Sequence, residues 1–258
     1  MLTTKPFDLD EAKHCIAGKT YHVNKYISVF SPEVYEVIDF GEDDYFRVLN
    51  LFVRKPYDIA VELDDNGVDY QSITDWDLFV DTVSYIPIEY SCILFGRLDF
   101  TKFKAYVNEN NMKILVHEEN PDIVIDEAIY RIIVTYLRYI HFISEKVEYD
   151  VGNKIAKQFL LERMRRKRKK ALNDYLTGKK RKHSQIADMI KYCVNNAGFK
   201  YDYTTVMNLK LNLLYESYFF LVHGDERRSV MYGVYNGTVD TSKMHDKSIL
   251  DIIPDLHK

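Results

Sequence analysis

The chain has 258 residues, of which 47% are hydrophobic and 14% aromatic, so it can bury a core and is not predicted to be disordered. Its three cysteines lie far apart with no CxxC spacing, which argues against a disulfide framework or a Cys-rich metal site. We find no apolar leader and no uncharged apolar run of membrane-spanning length, so we expect a cytoplasmic protein that does not contact a membrane.

The formal net charge of −4 hides a strong separation of charge along the chain. Residues 1–150 carry 14 basic and 28 acidic side chains, whereas residues 151–182 carry 13 basic and 2 acidic ones. Such a separation is informative about partners or self-association rather than about fold.

In chain order, the first pattern is a weak alternation over Tyr21–Phe30 that predicts a strand. Ser31-Pro32 then supplies an N-cap and a proline at the first position of a predicted helix. Gly41 interrupts this helix, and Asp43–Val53 resumes it.

A second group of elements follows the turn at residues 64–67. Thr74 is the predicted cap of a short helix, Asp75–Tyr85. Three apolar runs, Ser91–Leu98, Ala105–Val107 and Met112–Val116, predict strands of a small antiparallel sheet.

Two long helices are predicted next. The apolar stripe from Ile129 to Ile143 has helical spacing, and Gly152 ends that helix. A second helix of strong helix formers is predicted from Lys154 to about Leu176. Its apolar stripe is confined to its first half and consists of Ile155, Phe159, Leu160 and Met164. Six consecutive basic residues follow, Arg165 to Lys170, which gives the helix charge around its whole circumference.

The C-terminal part is predicted to be helical. A basic loop at residues 178–183 precedes a helix that Ser184 caps and that runs to about Asn196. A helix from Thr204 or Thr205 to Leu221 and a separate short helix, Arg228–Tyr235, are predicted before a polar tail.

These elements together predict an α+β protein that is mainly helical, with a small antiparallel sheet in its N-terminal part. We divide it into an acidic α+β domain at residues 1–150, a basic linker helix at 151–183 and a helical domain with a polar tail at 184–258.

Patterns of catalytic chemistry are weak. Neither a phosphate-binding glycine loop nor a nucleophile elbow occurs in the sequence. The nearest resemblance to a metal site is His117-Glu118-Glu119 with Asp122 and Asp126, which is more simply a strand end leading into a helix. The acidic clusters at residues 39–44 and 64–65 fit helix starts and turns, and His141 fits a packed histidine. We therefore predict no enzyme activity, no cofactor and no metal.

The basic run allows three interpretations. It binds nucleic acid through several phosphates, it docks on an acidic protein surface such as the chain's own N-terminal part or another copy, or it is a solvated helix end between two domains. The sequence alone leaves all three open.

Several sequence segments, taken together and in order, resemble those of a known family. They are VIDFGEDDYFRVLNLF at residues 37–52, LFGRLDFTKFKAYVNENN at 94–111, DIVIDEAIYRIIVTYLRYIH at 122–141, FLLERMRRKRKK at 159–170, and FKYDYTTVMNLKLNLLYES with MYGVYNGTVD within 199–240. In this order they resemble proteins encoded in the tail-gene regions of bacteriophages and prophages of Gram-positive bacteria, which are called tail assembly chaperones.

The resemblance implies a non-enzymatic phage morphogenesis protein that binds the tape-measure or tail-tube protein in the host bacterial cytoplasm. A chaperone of this kind needs an apolar surface and steering charges rather than a reactive group. The alternatives are a nucleic-acid-binding phage protein that uses the basic arm, and an incorporated structural component of the tail or baseplate. Self-association into a homo-oligomer is also compatible with the charge pattern.

Ten residues are the candidates for partner binding, although aromatic residues such as the three among them are more often core residues. They are Arg163, Arg165, Arg166, Lys167, Arg168, Lys169, Lys170, Tyr215, Tyr218 and Phe219.

Overall fold

The computed structural model describes residues 19–144, 152–178 and 184–254. Within these ranges the protein is α+β and mainly helical, and its sheets are small and antiparallel, as the sequence predicts. Most of the predicted loop at residues 178–183 lies outside the described residues.

The helices and strands are numbered in chain order. The helices are α1 (Val34–Phe40), α2 (Glu42–Val53), α3 (Ala60–Asp65), α4 (Asp75–Thr82), α5 (Ile88–Phe95), α6 (Glu127–Ile140), α7 (Lys154–Leu176), α8 (Gln185–Val194) and α9 (Leu211–Tyr235). The strands are β1 (Tyr21–His22), β2 (Ser28–Val29), β3 (Phe103–Val107), β4 (Lys113–His117) and β5 (Val124–Ile125).

The predicted strand over residues 21–30 is a short hairpin. β1 and β2 pair antiparallel, and the Asn24 side chain closes the turn by accepting the N–H groups of Tyr26 and Ile27, both at 2.8 Å. A turn residue with a short polar side chain competes here with continuous strand pairing. The prediction of one extended strand is therefore wrong.

The predicted N-cap at Ser31 is also wrong, because α1 begins later, at Val34. The Ser31 hydroxyl instead donates a hydrogen bond of 2.9 Å to the Asn212 side chain, and both residues are buried. A serine that satisfies a buried amide in this way is not available to cap a helix.

Residues 91–98 are not a strand but the second half of helix α5 and the turn after it. The buried residues of α5, Ser91, Leu94 and Phe95, are spaced as one face of a helix. Gly96, with φ 63°, ends the helix. The misassignment arises because a short, continuous apolar run has no periodicity to separate a strand from a buried helix.

The remaining predicted sheet is confirmed. β3 pairs with β4 and β4 with β5, both antiparallel, in the order β3-β4-β5. Asn108 shapes the hairpin turn, because its side-chain oxygen accepts the N–H groups of Asn110 and Met112 at 3.0 and 2.9 Å.

The C-terminal helix is one element rather than the two predicted. α9 continues through Gly224 to Tyr235. The chain that follows α9 returns to it, since the Leu250 and Asp251 carbonyl oxygens accept hydrogen bonds from Arg227 Nε and His223 Nε2 at 3.0 and 2.8 Å. These contacts help to hold a helix that an interior glycine weakens by about 1 kcal/mol.

Two compact units emerge from the contacts. Among the described residues, one unit comprises 46–134 and 152–178, and the other comprises 19–45, 135–144 and 184–254. Both α2 and α6 therefore contribute residues to each unit. The domains 1–150, 151–183 and 184–258 follow the sequence rather than contacts, and they stay a prediction.

The first unit has an aromatic core. The Phe52 ring lies 4.6 Å from Phe95 and 5.1 Å from Phe100, and Phe79 lies 4.7 Å from Tyr130, measured between ring centroids. Rings at these distances contribute beyond their buried area. This core brings together side chains of α2, α4, α5 and α6.

The second unit joins the two ends of the described chain. The Val34 N–H donates to the Leu209 carbonyl and the Leu211 N–H donates to the Pro32 carbonyl, each at 2.9 Å. The Glu42 carboxylate accepts the first N–H groups of α8, those of Gln185 at 2.7 Å and Ile186 at 3.1 Å. A carboxylate at this position offsets the unsatisfied donors and the dipole of the helix.

Candidate interaction surface on the basic helix

Helix α7 carries the basic run, and it forms as the sequence predicts. The Asn153 side chain caps it by accepting the Ala156 N–H at 2.7 Å, and Gly178, with φ 65°, follows its C-terminus. Between these residues the chain is rich in Lys, Arg, Leu and Ala, which favour helices.

One side of α7 packs against the first unit. Leu161 is buried, and it contacts Ala60, Val61 and Tyr70 in a small apolar cluster. Lys157 lies beside this cluster with its ammonium group 4.8 Å from the centre of the Tyr70 ring, a cation–π distance. The helix is thus attached through an apolar contact as well as through its charges.

On the same side, basic residues pair with acidic residues of the chain itself. The Arg165 guanidinium donates to Asp64 and to Asp65, each at 2.6 Å, and Arg168 lies 2.7 Å from Glu62. Because Arg165 faces two carboxylates, its pKa is raised. Glu62, Asp64 and Asp65, at the end of α3, thus neutralise part of the basic run.

Lys157 makes a further ion pair with Asp69. The hydrogen bond from Lys157 is the main cause that lowers the pKa of Asp69, and the Gln71 backbone N–H adds to it. Arg165 and Arg168 of the basic run, and Lys157 before it, are thus paired with acidic residues earlier in the chain.

The predicted apolar stripe of α7 is wrong in two of its four members. Ile155 and Phe159 are 67% and 69% exposed, whereas Leu160 and Met164 are half-buried and Leu161 takes the buried position. The buried Leu161 and the ion pairs to Asp64 and Asp65 lie on the side of the helix opposite Ile155 and Phe159.

The opposite side of α7 combines these exposed apolar residues with cations. At 3.6 residues per turn, Ile155, Phe159, Arg163, Arg166 and Lys170 follow one another along this side. We call these five residues the outer row. It begins with two apolar side chains and continues with three basic ones.

The cations of this side are less engaged than those near α3. Arg166 lies 3.3 Å from Glu162 within the helix, a pairing that is worth little when exposed. Within residues 19–144, 152–178 and 184–254, no ion pair is found for Arg163, Lys167, Lys169 or Lys170. Their charge remains available to an anionic partner.

An open cavity of about 660 Å³ lies beside the first turns of α7. It is lined by the turn after α3, including Gly67 and Val68, and by Asn153, Lys154 and Gln158 of α7. Lys157 and the buried Leu161, on the attached side of the helix, also line this cavity.

The three aromatic candidates belong to the second unit, whereas α7 belongs to the first. Tyr215 is buried, so the core interpretation fits it. Tyr218 and Phe219 are half-buried, with Tyr218 packed edge-on against Tyr192 at 5.4 Å and Phe219 against Phe142 at 5.3 Å. Their part in partner binding stays a prediction.

The residues that most resembled a metal site have other contacts. Glu118 and Glu119 pair with Lys104 and Lys102, and His117 packs edge-on against Phe103. Among the described residues no three His, Cys, Asp or Glu side chains lie close enough to hold a metal ion. Asp126 accepts the Ile129 N–H at 2.8 Å near the start of α6, as predicted.

His141 is a packed histidine, as expected. Its Nε2 lies 2.5 Å from the Tyr45 hydroxyl and its Nδ1 lies 2.7 Å from the Leu137 carbonyl. Burial lowers the pKa of His141 to about 4, so the ring is neutral at physiological pH.

Comparison with protein-family models, curated proteins and solved structures gives no match. None of the described helices combines the length and the apolarity that crossing a bilayer requires.

Two features of the surface were missed in the sequence. Asp64 and Asp65 are predicted only as part of a turn and an acidic cluster, and Glu62 is not singled out, so the pairing of these three acids with the basic run is not predicted. The outer row has a visible signal in the spacing of 155, 159, 163, 166 and 170, but the buried side of the helix has to be known before that row can be assigned to solvent.

Proposed function

We propose that the protein is a non-enzymatic bacteriophage tail morphogenesis protein, an assembly chaperone that binds the tape-measure or tail-tube protein in the host bacterial cytoplasm. Two lines support this proposal. The first is the resemblance of its sequence phrases to tail assembly chaperones. The second, which carries the proposal, is the outer row of α7, where exposed apolar side chains adjoin Arg163 and Lys170, two cations for which no ion pair is found among the described residues.

Such a row suits an amphipathic client segment. Ile155 and Phe159 offer apolar area, and an aromatic side chain is a frequent anchor at protein interfaces. The basic residues that follow attract acidic residues of the client and set its direction along the helix. The client is therefore a helix that carries an apolar pair followed by acidic side chains.

A nucleic acid is the second candidate partner, and the four cations without ion pairs favour it. Contacts of four phosphates with these cations predict a slope of about −3 to −4 in a plot of log affinity against log salt. Binding of a client through Ile155 and Phe159 predicts a weaker dependence on salt, because apolar contacts are not screened.

The test is a pull-down of the tagged protein from phage-infected cells at low and moderate salt, with nuclease, followed by mass spectrometry. Recovery of tape-measure or tube protein despite nuclease and salt supports the chaperone. Recovery of nucleic acid alone, lost as salt rises, contradicts it. Finding the protein in purified virions supports an incorporated structural component instead.

A charge-reversal variant locates the contact. Arg163→Glu, Arg166→Glu and Lys170→Glu, the three cations of the outer row, together are expected to reduce client recovery at least tenfold. The matched control reverses three exposed lysines elsewhere, Lys25, Lys200 and Lys247, and changes the net charge equally. If the control loses the client as completely as the variant, net charge rather than the outer row directs binding.

A further inference from the structure

The chain after helix α9 folds back along it. We call residues 238–251 the C-terminal strap. The Thr238 and Val239 N–H groups donate to the Gly233 carbonyl at 2.9 and 3.1 Å, so the strap begins beside the last turns of the helix. Near its other end a 3₁₀ turn, Ser248–Leu250, packs against α9. The strap belongs to the second unit and has no part in the proposed function.

Two side chains of α9 bind the end of this turn. Arg227 Nε donates to the Leu250 carbonyl at 3.0 Å, and His223 Nε2 donates to the Asp251 carbonyl at 2.8 Å. Arg227 and His223 are four residues apart, so both lie on one side of the helix. The last carbonyl groups of a helical turn have no partner within the turn, and these two donors supply one. We call this side of α9 the strap site, and it recognises the carbonyl end of a helical turn through its main chain.

The strap covers α9 loosely. From Glu216 to Tyr235 the helix has only half-buried and exposed residues, because its fully buried residues all lie in the first turns. Most residues of the strap are exposed as well, and its half-buried apolar side chains are Val239, Met244, Ile249 and Leu250. A segment with so few buried apolar contacts opens at a small cost in free energy. The strap is therefore a covering that another segment can replace.

We propose that the strap site binds the carbonyl end of a helix of a partner protein, and that the strap covers the site until this helix displaces it. The helix carries two adjacent aliphatic residues in its last turn, as the strap does with Ile249 and Leu250. It presents its last carbonyl groups to Arg227 and His223. Because every peptide has such carbonyl groups, the contact does not require the sequence of the strap.

A partner helix fits the site better than the strap of a second copy does. The C-terminus of a full helix carries about half a negative charge, which the Arg227 guanidinium attracts, whereas a turn of three residues builds up little dipole. The strap of a second copy offers only this short turn. It also competes with the chain's own strap, which is tethered beside the site and so acts at a high local concentration.

The experiment measures the binding of labelled peptides to the full chain by fluorescence anisotropy. The first probe is a helical peptide of about 15 residues that ends in Ser-Ile-Leu-Asp, the sequence of residues 248–251. The second probe has the sequence of residues 244–254 and forms no long helix. The helical probe is expected to bind more tightly than the strap peptide, because only the helix brings its dipole to Arg227. No residue of α7 takes part, so the outcome is independent of the proposed function.

Two matched variants control the strap. Ile249→Asp with Leu250→Asp puts charges at the half-buried positions of the turn and releases it. The control, Ile252→Asp with Ile253→Asp, makes the same change at side chains that are 78% and 74% exposed. The released chain is expected to bind the helical probe roughly tenfold more tightly than the wild type, and the control is expected to bind it as the wild type does.

Arg227→Ala, added to the released chain, tests the site itself. It removes a donor and a charge from the carbonyl end of the probe, and we expect binding to weaken roughly tenfold.

A second pair of variants acts at the other end of the strap. A Cβ atom at Gly233 would lie 2.5 Å from Val239 Cγ2, so Gly233→Ala pushes the strap away while alanine favours the helix. Gly224→Ala is the control, because a Cβ atom there meets no other atom within 4 Å. The Thr238 and Val239 amides are expected to exchange hydrogen roughly tenfold faster in the first variant and at the wild-type rate in the second.

Three results overturn the proposal. One is a released chain that binds the helical probe no better than the control does, and another is a strap peptide that binds as tightly as the helical probe. The third is a released chain that takes up the strap of added wild-type protein, detected as a dimer in sedimentation velocity, in preference to the helical probe. A second copy, rather than a partner helix, would then occupy the site.

Discussion

The two sides of helix α7 have similar sequences and different environments. Toward α3, Arg165 and Arg168 are paired with three acidic residues beside the buried Leu161. On the other side, Arg163 and Lys170 lie in the same row as exposed apolar residues, and among the described residues they have no such partners. The number of basic residues therefore does not show which of them bind a partner, since part of the run serves to attach the helix.

The two sides are expected to differ most in how much the loss of an apolar side chain lowers the free energy of unfolding. Leu161→Ala leaves a gap in the cluster with Ala60, Val61 and Tyr70 and is expected to lower the free energy of unfolding by about 2–3 kcal/mol. The matched variant Phe159→Ala, on the exposed side, is expected to change it by less than about 0.5 kcal/mol. Urea unfolding measures both variants.

The same pair of variants separates stability from binding. Phe159→Ala is expected to weaken client recovery although the fold is intact, whereas Leu161→Ala acts through the attachment of α7. Equal losses of stability in the two variants contradict the assignment of the two sides.

The ion pair between Lys113 and Asp77, elsewhere in the first unit, shows how much stability an ion pair of this kind contributes, for comparison with those of α7. Lys113 donates to Asp77 at 2.7 Å, and this bond, together with those from Thr74, lowers the pKa of Asp77 to about 2. Since the folded pKa lies below the unfolded value near 4, the stabilisation is present above about pH 4 and is lost as the pH falls toward 2. Solvent screening of the half-exposed Lys113 limits it to about 1 kcal/mol.

Asp77→Asn is therefore expected to destabilise the protein by about 1 kcal/mol at pH 7 and by almost nothing near pH 2. Urea unfolding at both pH values measures this change. Asp81→Asn is the control, because it removes a charge from the same helix at an exposed position without an ion pair among the described residues. A penalty for Asp77→Asn that is independent of pH contradicts the role of its charge.

The smallest expected effect is a change in Tm when cations on one side of α7 or the other are replaced. Replacing Arg165 and Arg168 by Ala removes three exposed ion pairs and is expected to lower Tm by a few degrees, about 2–4 °C. Replacing Arg163 and Lys167 by Ala is expected to leave Tm unchanged within about 1 °C. Thermal unfolding at low and high salt measures both, and only the first difference is expected to shrink with salt.

The sequence predicts α7 and α8 well because their signals are local, whereas it divides α9 into two helices and continues α6 past Ile140 toward Gly152. The cap at Asn153, the stripe of α6 and the cap at Ser184 all lie within a few residues of the element that they define. It fails at residues 91–98, where a short apolar run suits either a strand or a helix.

The candidate surface is predicted only in part, for a different reason. The basic run is plain in the sequence, but its division into two sides depends on contacts with Glu62, Asp64 and Asp65, about 100 residues earlier in the chain. No local pattern shows that these acids pair with α7. Likewise, the pairing of Ser31 with Asn212 spans 181 residues and displaces the expected cap.

The order of residues in the two units has a consequence for synthesis on the ribosome. Every described residue of the first unit precedes residue 179, whereas the second needs Leu209 and Leu211 to pair with Val34 and Pro32. At roughly 5–20 residues per second, the early segment 19–45 waits several seconds for its partners after α7 is made. Val34 and Val37, fully buried in the finished protein, are exposed during that interval, so the nascent chain depends on the prompt arrival of its own C-terminal half.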